Sequence, residues 1–312
     1  MQKYNIPCAE SRTFADIESA GNYIREKGAP LVIKADGLAA GKGVIMADTV
    51  EQALEVVKGM MESKNFGSAG DRVVVEERLT GREMSFFAFS DGTHILPIAA
   101  ACDYKRVGDG NKGPNTGGMG SYSPPFFYTP ELGQHIVSDI IEPTIRAMQQ
   151  ENNPYRSILY AGLMIKDNRA KVLEFNARFG DPECQVLLPR LKSDIIDIIF
   201  GVINGSLDSV KTEWSGQACV GVVLASGGYP GSYQTGCPIS GLDQLDKDVM
   251  VFHAGTKKGD KQEEILTAGG RVMTVAALGS TTEEARDKIY DNISRISFEG
   301  MQYRKDIAQF SR

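Results

Sequence analysis

Residues 159–183, LYAGLMIKDNRAKVLEFNARFGDPE, constrain the fold of this chain more than any other stretch. Two strand-like runs, Leu159–Ile165 and Lys171–Arg178, flank Asp167–Asn168, a pair that favours a turn. In a strand, alternate side chains share a face. Leu173, Phe175 and Ala177 therefore point one way, and Glu174, Asn176 and Arg178 the other. By itself this alternation describes an antiparallel strand with one solvated face. The continuation Phe179–Glu183, FGDPE, is a turn that adds two more acids and shifts the reading towards a site. Glu174 and Asn176 offer hard oxygen ligands of the kind Mg²⁺ combines with phosphate oxygens and water. Arg178 can balance charge on a transferring phosphoryl group.

Elsewhere strand-like and helix-like segments alternate, which predicts an α/β or α+β architecture. Strands are expected at Ala29–Lys34, Val73–Glu77, Ser85–Phe89, His94–Ala101, Cys219–Ala225, Val249–Thr256 and Arg271–Leu278. Helices are expected after Asp48/Thr49, over Pro130–Gln150 and Ser193–Asn204, and from Thr281 or Thr282. A long irregular stretch, Asp103–Pro125, holds six glycines and three prolines, and a loop of that length is usually functional. The polar, turn-rich segment Asn204–Gly216 marks a domain boundary.

Two further elements carry chemistry. Lys34-Ala-Asp-Gly-Leu-Ala-Ala-Gly-Lys42-Gly43 places lysines at both ends of a glycine-rich loop that follows a strand. Backbone N–H groups and two ammonium charges can then cradle a phosphate. The spacing is too short for a Walker A loop, and Gly43 stands where Ser or Thr belongs. Read alone, the segment is more simply a tight turn with solvated lysines. Glu76-Glu77-Arg78-Leu79 ends a strand and continues towards Gly81-Arg82-Glu83. An extended hinge of this kind offers backbone groups to an adenine edge and Glu83 to ribose hydroxyls, although in isolation it is an acidic loop.

The formal net charge of −6 argues against non-specific nucleic-acid binding, which needs a basic surface. No apolar run approaches the length of a membrane helix. Five scattered cysteines without a Cys-x-x-Cys pair suit a reducing cytoplasm, and three scattered histidines supply no zinc ligand set. His253 reads as a structural histidine at a strand end, and Tyr122, Phe126, Phe127 and Tyr128 as packing.

In order along the chain stand a strand lysine, a Gly-Lys loop, a Glu-Glu-x-Leu hinge with a following Glu, and a late Glu-x-Asn strand. Together they resemble the ATP-grasp superfamily. Arg178-Phe-Gly-Asp-Pro-Glu-Cys-Gln185 resembles the signature of the phosphoribosylamine–glycine ligase family. VIKADGLAAGKGV, DYKRVGDGNKGPNTGGMG, YAGLMI, FHAGTK and Tyr303–Ile307 (YRKDI) are similar to that family's segments, so the resemblance spans nearly the whole chain.

The resemblance implies an ATP-grasp fold with a small lid subdomain and a C-terminal β-rich domain. Its divisions are a connector at 1–12, a lid at 13–79, a core with the metal and substrate site at 80–210, and a C-terminal domain at 213–312. It implies a cytoplasmic ligase of purine biosynthesis, with ATP, glycine and 5-phosphoribosylamine as small-molecule partners and Mg²⁺ (or Mn²⁺) as the metal. The implied ATP contacts are Lys34, Gly41, Lys42, Gly43, Glu76, Glu77, Leu79 and Glu83, with Lys42 and Arg178 catalytic. The metal falls to Glu174 and Asn176, because YAGLMI carries no acid. Asp103, Lys105, Asn115, Thr116, Gly117, Gly118, Arg178 and Asp181 are the substrate candidates. Members of the family normally begin with a further doubly wound domain. This chain opens at what resembles the connector after it, Tyr4–Pro7. A truncated chain, a fragmentary reading frame and one half of a split enzyme completed by a separate first-domain polypeptide all stay open.

Overall fold

The structure, a computed structural model, describes residues 1–37, 43–261 and 264–310. Two compact units divide the chain. The first comprises Met1–Arg82, Met164–Asp167 and Lys171–Leu173; the second comprises Glu83–Leu163, Asn168–Ala170 and Glu174–Arg312.

In the first unit, β1 (Ser11–Phe14), β2 (Leu31–Ala35), β3 (Val44–Ala47) and β4 (Val73–Glu77) form an antiparallel sheet in the order β1-β4-β2-β3. Two helices, α1 (Ile17–Lys27) and α2 (Val50–Met61), accompany it. The Asp16 carboxylate accepts the Ser19 N–H at 2.7 Å and the Thr49 hydroxyl accepts the Gln52 N–H at 3.2 Å, so each helix begins on a capped donor. Because side chains alternate, Leu31, Ile33, Ala47, Val73 and Val75 turn to one face and pack with Phe14, Ala20, Ile24, Ala53, Val57 and Met60. The opposite face carries two cross-strand rows, Met46–Val32–Glu76 and Val44–Lys34–Val74. Val44 and Met46 are 43% and 50% exposed there.

The second unit is built on one eight-stranded sheet, of which Arg82, Met164–Lys166 and Lys171–Leu173 belong to the first unit. The strands of this sheet begin with β5 (Arg82–Asp91) and β6 (Ile95–Asp103). A short hairpin of β7 (Arg106–Gly108) and β8 (Lys112–Asn115) follows outside the sheet. The sheet continues with β9 (Gly120–Ser123), β10 (Arg156–Lys166), β11 (Arg169–Asn176), β12 (Ala218–Ala225) and β13 (Val249–His253). A second short pair, β14 (Thr256–Lys258) and β15 (Ile265–Thr267), precedes the last strand, β16 (Arg271–Gly279). The sheet order is β11-β10-β5-β6-β9-β12-β16-β13. Helices α3 (Pro130–Ile136), α4 (Glu142–Gln150), α5 (Cys184–Leu187), α6 (Ile195–Asn204) and α7 (Thr282–Ile293) complete the unit.

Asp167 and Asn168 both adopt positive φ (50° and 57°), the backbone of the tight turn expected between β10 and β11. The stretch 103–125 is less irregular than its composition suggests. β9 lies inside it, fully buried, pairing with β6 on one side and β12 on the other. Through β9, strands from before and after residues 204–216 share one sheet. Phe87, Tyr160 and Leu187 share a core with Cys219 and Ala276. Trp214, the only tryptophan of the chain, pairs with Leu191 in this unit as an isolated bridge.

Candidate functional site

Strand β11 sets the metal candidates. Glu174 is exposed and Asn176 half-buried, and Asn176 Nδ2 donates to Glu174 Oε1 at 3.2 Å, so both side chains leave the same face as the alternation requires. Gly162 lies beneath: a Cβ there would stand 3.2 Å from Glu174 Cγ. Arg178 departs from the expectation. The strand ends at Asn176, two residues earlier, and the Arg178 guanidinium donates to its neighbour Phe179's carbonyl at 2.8 Å. The sheet register therefore does not place Arg178 beside Glu174 and Asn176. Among the described residues no cluster of three or more His, Cys, Asp or Glu is arranged to hold a metal. One carboxylate and one amide oxygen still suit Mg²⁺, which usually takes one or two protein carboxylates and completes its shell with phosphates and water.

On the first unit, Lys34 Nζ pairs with Glu76 Oε2 at 2.6 Å and donates to the Leu173 carbonyl at 3.4 Å. Gly43 is buried and accepts the Ala35 N–H through its carbonyl at 2.9 Å. Gly41 and Lys42 lie outside the described residues. Glu77 is tied locally: its N–H donates to the Glu10 carbonyl, and its carboxylate accepts the Glu10 N–H and pairs with Lys171, both at 3.2 Å. Those hydrogen bonds, the Glu10 N–H contact foremost, hold its pKa below the usual carboxylate range. Leu79 lies two residues past the end of β4, outside regular secondary structure.

The second unit gathers the substrate candidates. Glu83 Oε2 accepts from Lys105 Nζ at 2.8 Å. Burial pushes the Asp103 carboxyl up to about 7, against the pull of the Lys105 ammonium and with the help of the nearby Glu183 and Glu83 charges. Burial also opposes the Lys105 ammonium, but the Asp103 and Glu83 carboxylates outweigh it and hold its pKa above the usual lysine value. Thr116 closes the loop onto Lys105: its N–H and hydroxyl both donate to the Lys105 carbonyl, at 2.7 and 2.9 Å. The same hydroxyl accepts the Gly118 N–H at 3.0 Å. Gly118 has φ +115°, and a Cβ there would sit 2.4 Å from Pro182 Cδ, so only glycine fits against the FGDPE turn. Asn115 stands apart, exposed at the end of β8.

Three features of this region escape a reading of the sequence. Glu183 is buried, and its Oε1 accepts from Tyr160 Oη at 2.7 Å and Ser85 Oγ at 2.9 Å, which anchors the turn to β10 and β5. Ser121 Oγ donates to the Pro182 carbonyl at 2.8 Å from β9. Arg271, on β16, reaches Gly117 and Asp181. The Phe-Gly-Asp-Pro-Glu string marks the turn itself, but nothing local marks partners lying 23 to 98 residues away.

Comparison with known proteins places this geometry. The family model for the phosphoribosylglycinamide synthetase ATP-grasp (A) domain matches residues 1–184, and that for the C domain of the same synthetase matches 219–310. A phosphoribosylamine–glycine ligase of Vibrio vulnificus is 49% identical over 309 residues, 98% of this chain and 72% of that protein. The enzyme of the same name from Halalkalibacterium halodurans is 50% identical over 308 residues, 98% and 71% of the respective lengths. The crystal structure of phosphoribosylamine–glycine ligase from Thermotoga maritima superposes with a TM-score of 0.89 at 34% identity, over 98% of this chain and 76% of that one. A biotin carboxylase from Campylobacter jejuni shares the fold alone, with a TM-score of 0.72 at 15% identity over 98% and 67% of the two chains. With both family models in chain order and half of its residues shared with those ligases, the chain belongs to the phosphoribosylglycinamide synthetase family and has the ATP-grasp fold.

Proposed function

We propose that this chain joins glycine to 5-phosphoribosylamine at the expense of ATP, giving glycinamide ribonucleotide, ADP and phosphate for purine biosynthesis. A glycine carboxylate oxygen attacks the γ-phosphorus and the bond to the ADP oxygen breaks. The amine nitrogen of phosphoribosylamine then attacks the glycyl phosphate carbon, phosphate leaves, and the nitrogen loses a proton. Such transfers ask a protein mainly for positioning and charge.

The observation that carries the reading is the meeting of loop 103–119 with the FGDPE turn in a chain that matches relatives bearing the ligase name over 98% of its length. The exposed rows Met46–Val32–Glu76 and Val44–Lys34–Val74 suit a nucleotide, with apolar side chains for the base and the Lys34 ammonium for phosphate. The adenine edge falls to the hinge Glu76–Leu79, the ribose to Glu83 and the phosphates to Gly41, Lys42 and Gly43. Lys42 and Arg178 stabilise the transferring group. Glu174 and Asn176 hold Mg²⁺ or Mn²⁺, which when bound draws charge from the phosphate oxygens. Asp103, Lys105, Asn115, Thr116, Gly117, Gly118, Arg178 and Asp181 belong to the segments that receive glycine and phosphoribosylamine. Residues 13–79 act as a lid that keeps water from the acyl phosphate.

The test is ADP release with metal–ATP, glycine and fresh phosphoribosylamine, each omitted in turn. Release that needs every component is expected, and Glu174→Ala is expected to lower it on the order of a hundredfold. ATP binding without turnover would instead favour a module completed by another polypeptide.

A further inference from the structure

Arg271 opens β16, far in sequence from every motif of the site, and its side chain is 22% exposed. Its Nη1 donates to the carbonyls of Gly117 and Asp181, at 2.9 and 2.8 Å, while Nη2 donates to Asp181 Oδ2 at 2.7 Å. The other oxygen of that carboxylate, Oδ1, accepts from Gln185 Nε2 at 3.0 Å. Gly117 is gripped from its other side as well, since its N–H donates to Tyr229 Oη at 3.0 Å. A Cβ on Gly117 would lie 2.9 Å from Arg271 Cζ, so the loop backbone rests directly against the guanidinium.

We propose that Arg271 is a positioning residue of the ligase site, locking loop 103–119 onto the turn 178–183. Asp181 supplies the carboxylate of that lock. The inference rests on the substrate reading of those two segments. A guanidinium suits the task because its planar fork addresses three acceptors on two segments at once, whereas an ammonium presents a point charge on a flexible stem. The C domain thereby contributes to the site through two side chains, Arg271 and Tyr229, that hold both polar groups of one glycine.

The test compares Arg271→Met and Arg271→Lys with the unaltered chain by amide hydrogen exchange and steady-state kinetics. In both variants, peptides covering 103–119 and 178–186 are expected to lose protection together, at least tenfold, while peptides of the first unit stay unchanged. KM for glycine or phosphoribosylamine is expected to rise at least tenfold, with KM for ATP within twofold. Protection unchanged in either segment overturns the lock. Lost protection with unaltered substrate KM values overturns the positioning role, and so does full restoration by lysine, which would assign the effect to charge. If the methionine variant does not fold, the lysine variant alone decides. An unaltered chain without substrate-dependent ADP release refutes the ligase reading, and the exchange data then judge the lock by themselves.

Discussion

Asp103 sits where a carboxyl can exchange a proton near neutrality, because burial and two neighbouring acids lift it to about 7 against the opposing Lys105 charge. Amide formation releases a proton from the attacking nitrogen, and an ionised Asp103 can accept it. As the base must be unprotonated, kcat/KM for phosphoribosylamine is expected to climb as pH rises through about 7 and to level off above it. Asp103→Asn is expected to lower kcat and remove that limb from the pH profile; an unchanged limb assigns the proton to another group. At this scale Glu77 and Asp181 are instructive too. Both look like ligand-binding acids in the sequence, and in the structure each carboxylate also accepts from protein donors.

The turn joining β5 to β6 shows how one acid can organise an element. Asp91 is buried, and burial alone would raise its pKa. The N–H groups of His94, Thr93 and Leu207 and the His94 ring outweigh that and hold it down to about 2. A depressed carboxyl contributes stability that is present above its ordinary value of 3.8 and lost as pH falls towards about 2. Asp91→Asn is expected to cost about 2 kcal/mol at neutral pH and to flatten the loss of urea resistance between those two values. The elements with strong local signals were legible: the Thr49 and Thr281 caps, the Asp167–Asn168 turn and the alternation of β11. β9 was not, because GSYS is four residues long and buried on both faces, and so shows neither length nor alternation. Helix α1 passed unread although Asp16 caps it and Ala20 and Ile24 line its buried side. The Arg271 lock leaves no trace at all in local sequence, since its partners lie 90 and 154 positions away.

At the scale of the whole molecule, each unit has its own sheet and its own core. Among the described residues no helix is long and apolar enough to cross a membrane. Two cores permit two unfolding steps, because cooperativity is a property of a packed unit. Ile33 is fully buried in the smaller core, and Ile33→Ala is expected to destabilise that unit by roughly 2–4 kcal/mol. A far-UV circular dichroism melt should then gain an early phase; a single transition shifted as one would show that the two units unfold together. The position of Trp214 gives this an optical corollary. Intrinsic tryptophan emission arises solely in the second unit, so melting of the smaller sheet is spectrally dark at that wavelength. A Met46→Trp variant, made on the exposed face of β3, would give the smaller unit an emission signal of its own.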